Sequence, residues 1–332
     1  MQTYKAALAL ALVPLAAVAA AGCGGSDSDS AASTGGSGSG KQTSVVYVPG
    51  LTGNPFYTTV GCGATAQAKL SNVKFSVQGA PEFDVAKQTQ IVNALTASKP
   101  DAIMISITDP KAMIAPLAQA KAAGIKIIAI DGDLSDESIM STNIQADGKV
   151  GGRLAGERMG KLMGGKGSVI TVDNEPGSLV AKARTDGFKE GIAKYPGIKD
   201  LGIKYTDNST AKAAQIVAST ASSNPDLGGV FAAETNNTEG ALTGVREAKK
   251  VGKVHVLGFD TSDPIVKALE DGTLDGTVVQ YPYGEGQLGI KSAVAAVKGD
   301  PVQRQQGTPF VIATPENVKS AKVQKFLYKT HC

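Results

Sequence analysis

The chain alternates short apolar runs with longer segments whose apolar positions recur every three or four residues. Val45-Val46-Tyr47-Val48 opens the series, and an amphipathic segment follows over about 57–70. Strand-like runs at 74–77, 102–105 and 126–130 are separated by helical patterns at 84–97 and 110–123. Gly124 falls where a helix C-terminus favours a glycine. The rhythm pauses over 135–147 and then restarts. Helices are predicted at 149–163, 181–194, 211–222, 239–249, 264–270 and 282–297. Strands are predicted at 168–172, 202–205, 229–232, 254–258 and 276–279, with a last extended run at 310–312. Strands alternating with helices of this length build parallel sheets covered on both faces. The strands are too many for one small sheet, so an α/β fold of two doubly wound lobes is expected. Ligands in such folds bind beyond the carboxyl ends of the strands.

The first residues follow a different pattern. One positive charge (Lys5) precedes an apolar run over 6–21, and small residues follow, as in a secretory signal peptide. The run is short for a membrane span. Ala20-Ala21-Gly22-Cys23 resembles a bacterial lipobox, in which the Cys is lipidated and becomes the mature N-terminus; Ala20 stands where that pattern prefers Leu. From Gly24 to Gly40 every residue is Gly, Ser, Thr, Ala or Asp, so this segment reads as a flexible tether. It would hold the body some ~20–25 Å from its anchor.

Composition narrows the function. Of 332 residues, 42% are apolar and 19% charged, a globular balance. The net charge is +3, falling to +2 for a chain that begins at Cys23, which leaves no excess for gripping nucleic acid. Two His and three Cys argue against a zinc or haem site, and no metal or cofactor is expected. With Cys23 lipidated, Cys62 and Cys332 remain, and an oxidising compartment makes them a disulfide candidate that would pin the tail. Free thiols or a catalytic Cys62 are the alternatives. His255 lies in a strand-like run and His331 in the tail, so no Cys–His pairing is evident. Gly152, Gly156 and Gly160 repeat every four residues, but Arg153, Glu157 and Arg158 interrupt them, so close packing on the sheet is expected rather than a membrane helix pair. Gly164-Gly165-Lys166-Gly167-Ser168 lacks the spacing and direction of a phosphate loop and reads as a turn.

The predicted strand ends share one chemistry. Asn54, Phe56 and Tyr57 follow the first strand, and Ser106, Asp131, Asn208, Glu234, Asn236, Asp260 and Gln280 follow later ones, while Arg184 lies in a helix. Carboxylates and amides suit adjacent hydroxyls, and an aromatic ring suits the C–H face of a sugar. Each is also an ordinary cap or turn residue. Asp109 and Asp263, each before a proline, read as caps. Taken together the set fits a neutral polyhydroxylated ligand.

Asn54-Pro55-Phe56-Tyr57, Ile130-Asp131, Ala183-Arg184-Thr185-Asp186-Gly187-Phe188, Gly258-Phe259-Asp260 and Val279-Gln280-Tyr281-Pro282 occur in that order. Over about 43–312 the chain thereby resembles periplasmic sugar-binding proteins of the ribose- and galactose-binding type, the receptors of monosaccharide ABC importers. The resemblance implies the type I periplasmic binding protein fold: two Rossmann-like lobes joined by three hinge crossings, near 142–145, 280–281 and 309–311. With the signal peptide at 1–22 and the lipidated Cys and tether at 23–42 read from the N-terminal pattern, it implies an N-terminal lobe at 43–143 plus 281–309 and a C-terminal lobe and tail at 144–280 plus 310–332. It also implies that Asn54, Phe56 and Tyr57 shape one wall, Asp131 and Asp260 accept from ligand hydroxyls, Arg184 donates to them, and Gln280 touches ligand at a hinge. The departures are specific. Gly132 stands where ribose-type members carry Arg, and Glu234 aligns with their Asn, with Asn236 and Asn237 close by. Asn208 aligns near an aromatic of theirs and Ser106 near an Asn. A pocket more acidic and less aromatic than a ribose site is expected.

The expected function is that of an exported lipoprotein receptor facing the extracytoplasmic side. It binds a monosaccharide or polyol and delivers it to an ABC-importer permease. It is expected to be a monomer, to act without a cofactor and not to be an enzyme. Recognition of autoinducer-2 or a nucleoside by the same fold is an alternative, as is sensing without transport. Glycoside hydrolysis would need Asp131 and Asp260 at a defined separation, and the resemblance speaks against it.

Overall fold

The computed structural model describes residues 41–332. The expected signal peptide, the lipidation site Cys23 and nearly all of the tether lie outside them. In chain order the first part comprises β1 (Ser44–Val48), α1 (Pro55–Leu70), β2 (Lys74–Val77), α2 (Val85–Ser98), β3 (Ala102–Ile105), α3 (Ile114–Ala122), β4 (Lys126–Ile130) and β5 (Thr142–Ala146). The second comprises α4 (Gly148–Leu162), β6 (Gly167–Asp173), α5 (Leu179–Ile192), β7 (Ile198–Tyr205), α6 (Thr210–Ser223), β8 (Leu227–Ala232), α7 (Thr235–Glu247), β9 (His255–Phe259), α8 (Asp263–Glu270) and β10 (Gly276–Val279). Then come α9 (Pro282–Lys298), β11 (Gln305–Thr308), β12 (Val311–Ala313) and α10 (Ala321–Gln324).

Two six-stranded sheets result, ordered β11-β5-β4-β3-β1-β2 and β12-β10-β9-β8-β6-β7. They repeat one topology, differing at one edge: β11 runs parallel to β5, whereas β12 runs antiparallel to β10. Most inner strands are rich in apolar residues, as burial on both faces requires: β3 (Ala-Ile-Met-Ile) is buried at every position, whereas β5 (Thr-Asn-Ile-Gln-Ala) is an inner strand of mostly polar sequence. The chain passes between the sheets after β5, after β10 and between β11 and β12.

Several expectations are corrected. The segment 135–147 contains β5, whose polar sequence Thr-Asn-Ile-Gln-Ala hides a strand. Because β5 pairs with β4 up to Ile144 and with β11 up to Ala146, the crossing falls after Ala146 rather than at the expected 143–144 boundary. The helix expected from 110 begins at Ile114, since the Asp109 carboxylate accepts from the N–H groups of Lys111 and Ala112 and holds a turn first. Ser262, not Asp263, caps α8; Asp263 is its first helical residue. The tail does not stay with the second lobe. After β12 it returns to α1, where the Lys329 N–H donates to Thr59 Oγ1 and Cys332 is disulfide-bonded to Cys62.

The glycine stripe of α4 packs against a helix, not against the sheet. A Cβ at Gly152 or Gly156 would collide with the carbonyls of Arg184 and Phe188 in α5, and Gly187 and Gly191 of α5 face α4 in the same way. Backbone meets backbone here, which only residues without a Cβ permit. The α4–α5 pair thereby sets the position of Arg184.

Candidate functional site

The strand ends converge between the sheets. Asp131 directly follows β4, the fourth strand of its sheet, and Asp260 directly follows β9, the fourth of the other. Both are left-handed, at φ 45° and 68°, as is Asn208 at φ 57° after β7. Asp and Asn tolerate this region better than other residues with a Cβ, and it recurs at functional sites. The Asp131 N–H donates to Ile144 O at 2.9 Å and the Asp260 N–H to Val278 O at 2.7 Å, so the two turns are equivalent in the two lobes.

Arg184 stands between these aspartates and is only 4% exposed. Its Nη2 lies 3.2 Å from Asp131 Oδ2, and its Nη1 lies 3.6 Å from Asp260 Oδ2. Nη1 also donates to Ala233 O at 3.0 Å, and the guanidinium covers the Phe259 ring at 4.2 Å. Its Nε has no hydrogen-bond partner among the described residues. Asp260 Oδ1 accepts from Gln280 Nε2 at 2.9 Å and from the Tyr328 hydroxyl at 2.7 Å.

Other side chains are fixed by the helix starts. Asn54 caps α1, accepting from the Phe56 N–H at 2.9 Å, with Pro55 at the first helical position. Glu234 caps α7, accepting from the N–H groups of Asn236 and Asn237 at 3.0 and 2.7 Å. Asn236 donates to Asn208 Oδ1 at 3.0 Å, and Asn237 donates to Asn174 Oδ1 at 3.0 Å. Phe56 meets Tyr57 edge-on at 5.4 Å and Tyr328 at 5.7 Å.

Carboxylates outnumber the cation, and burial sharpens the imbalance. Burial, offset in part by the Arg184 guanidinium, pushes Asp131 up to about 6, with the charges of Asp260 and Asp133 adding to the rise. Burial pushes Glu234 up to about 7 against the two backbone N–H groups it accepts from. Burial also raises Asp173 to about 6. Glu285 of α9, wholly buried, is held well above the carboxylate range by burial and by the charge of Asp131. Arg184 is raised by Asp131 and Asp260 although burial opposes it, and stays charged.

An interlobe cavity of about 70 Å³ is lined by Asn54, Phe56, Tyr57, Asp131, Arg184, Asn208, Glu234 and Asp260. A second cavity of about 270 Å³, beside β5 and β11, shares Asp131 and Arg184 and adds Gln280, Asp133 and Gln306. Two expected ligand residues line neither. Ser106 is buried with its hydroxyl 2.9 Å from that of Tyr47, a core hydrogen bond; the next residue, Ile107, reaches the cavity instead. Asn236 acts behind the wall, holding Asn208. Leu51, Phe83 and Ser178 line the cavity without having been expected. Phe83 is an aromatic in the loop after β2 and could have been found by the same strand-end reasoning. Tyr328, far along the tail, carried no such signal.

The arrangement can accept from and donate to several adjacent hydroxyls while presenting aromatic surface, with both lobes contributing. Residues 45–301 match the family model described as the periplasmic binding protein domain. The chain is 28% identical over 262 residues to the ribose import binding protein of Haemophilus influenzae, covering 79% of this chain and 88% of that one. It is 28% identical over 272 residues to a xylitol-binding protein of Mycolicibacterium smegmatis, covering 80% of this chain and 77% of that one. Among solved structures, it resembles an ABC transporter solute-binding protein of Agrobacterium vitis bound to α-D-tagatopyranose. The TM-score is 0.85 and the identity 33%, covering 87% of this chain and all of that one.

Proposed function

The chain belongs to the periplasmic binding protein family, and from that premise we propose that it is an extracytoplasmic solute receptor. It takes one neutral monosaccharide or polyol between its lobes and delivers it to an ABC-importer permease. The carrying observation is the Asp131–Arg184–Asp260 triad, in which a cation from α5 lies between equivalent strand ends of the two lobes. A ligand that hydrogen-bonds this set touches both lobes only when they are closed, so its differential affinity favours closure. The closed shape is what a permease would read.

Asn54, Phe56, Tyr57, Asp131, Arg184, Asn208, Glu234 and Asp260 form the ligand wall in this reading, with Gln280 beside them at a crossing. Gly132 and Glu234, where ribose-type members carry Arg and Asn, favour a ligand other than ribose. The ligands of similar proteins, xylitol for the Mycolicibacterium smegmatis relative and tagatose in the Agrobacterium vitis structure, fit the same class. Lipidation at Cys23, the monomeric state and the absence of catalysis belong to this proposal, as does the lobe division at the observed crossings.

Thermal shifts against pentoses, hexoses, polyols, amino sugars, nucleosides and autoinducer-2 test it. A ligand at ~100 times its Kd adds about 2.7 kcal/mol of stability. A sugar or polyol hit that disappears in Arg184→Ala supports the reading. A hit confined to nucleosides or autoinducer-2 overturns the ligand class and leaves the fold.

A further inference from the structure

We infer that Tyr328, delivered by the C-terminal tail, is a positioning residue of the cleft that fixes the Asp260 carboxylate toward ligand. The inference rests on the reading of Asp260 as a ligand-binding residue. Tyr328 is 8% exposed and lines neither cavity. Its hydroxyl accepts from the Gln280 N–H at 3.2 Å and donates to Asp260 Oδ1 at 2.7 Å. Burial and the charge of Asp260 hold the phenol well above its usual pKa, so it stays a donor. Oδ1 also takes Gln280 Nε2 at 2.9 Å, which gives that oxygen two directed partners. Two donors on one oxygen set the carboxylate plane, and the remaining oxygen, Oδ2, is the one that faces Arg184.

The tail is itself held on both lobes. The Tyr328 N–H donates to Thr261 Oγ1 at 3.1 Å on the second-lobe side, and the Lys329 N–H donates to Thr59 Oγ1 at 2.6 Å on α1. Phe326 packs on the Tyr281 ring at 5.0 Å, and Lys329 Nζ sits 4.7 Å from the Tyr283 ring centroid at the start of α9. Three residues past Lys329, the bond to Cys62 closes the strap on the helix that also carries Phe56. The disulfide therefore holds the tail that carries the hydroxyl to Asp260.

The test is calorimetric titration with D-arabinose, D-tagatose and xylitol of the parent, Tyr328→Phe, Asp260→Asn and the double variant. Tyr328→Phe should weaken binding ~10-fold, as loss of a hydrogen bond to a charged group does. The double variant should bind no more weakly than Asp260→Asn, a non-additivity that general destabilisation would not produce. Breaking the disulfide with a phosphine reductant should weaken the parent but not Tyr328→Phe. Parent-like affinity of Tyr328→Phe beside a weakened Asp260→Asn overturns this inference alone, as does full additivity of the two substitutions. Unchanged affinity of Asp260→Asn overturns the reading of the cleft and this inference with it.

Discussion

The two walls of the cleft grow from equivalent strand ends but are held differently. On the second-lobe side each polar group has its partners nearby: Glu234 on two helix N–H groups, Asn208 on Asn236, and Asp260 on Gln280 and Tyr328. On the first-lobe side Asp131 draws hydrogen bonds from Arg184, a residue of the other lobe, and its neighbours Phe56 and Tyr57 offer ring surface. One topology used twice has thus produced a prearranged wall and a wall completed by closure. Preorganisation lowers the cost of ordering a site when ligand arrives. A wall completed across the cleft couples binding to lobe closure.

Removing Arg184 strikes both walls and should have the largest effect. Arg184→Ala leaves buried carboxylates without their cation, so affinity should fall more than ~100-fold and stability by about 3–5 kcal/mol near pH 8. Calorimetry and urea unfolding check this, and part of the stability should return near pH 5 as Asp131 protonates. A small loss at both walls would mean that the triad is incidental.

Asp131→Asn and Asp260→Asn separate the walls. Both should weaken ligand binding ~10–100-fold. Ligand-free stability should change by less than about 1 kcal/mol for Asp131→Asn, since burial already favours its neutral form. It should fall by about 1–3 kcal/mol for Asp260→Asn, whose two donors lose a charged acceptor. Equal stability losses in urea titrations would erase the distinction between the walls.

A pH series sharpens it. The folded pKa values of Asp131 and Glu234 are raised, so the folded state binds more protons than the unfolded one between about 4 and 7. Their contribution is fully present below pH 4 and is lost as pH rises through about 6 and 7, by roughly 3 kcal/mol for each of the two carboxyls. Glu234→Gln should flatten the upper part of that slope. Ligand affinity should move oppositely, rising from pH 5 to 7 as Asp131 becomes an acceptor. Tm and Kd measured across the series report the two trends.

Phe56→Leu should have the smallest effect. It keeps apolar volume but loses the ring face and the edge contacts to Tyr57 and Tyr328, for a ~3–10-fold loss of affinity with Tm lowered by a few degrees.

Much of this was legible locally. β1, β3 and β4 announce themselves as apolar runs, and Asn54 and Pro55 mark the start of α1, because burial period and capping depend on neighbours within a few residues. β5 and β11 were not legible as strands, since Thr-Asn-Ile-Gln-Ala and Gln-Gln-Gly-Thr carry no apolar run; β5 is a strand by pairing with β4 on one side and with β11 on the other, and β11 by pairing with β5 across a long stretch of chain. The position after β3 shows the same limit inside the site: a strand-end Ser106 reads as a ligand group until Tyr47 claims its hydroxyl.

The sequence by itself determined an α/β chain of two repeated lobes, the strand ends at which chemistry would gather, and the acidic, hydroxyl-seeking character of those ends. Only the tertiary structure decided that α4 meets α5 backbone to backbone and so sets Arg184 between Asp131 and Asp260. It alone returned the tail to α1 and brought Tyr328 to Asp260. Periodicity, caps and turns are set by interactions over a few residues and are written locally. The pairings that make the site join residues 53 and 68 positions apart, and these are chosen by packing and closure of the whole chain.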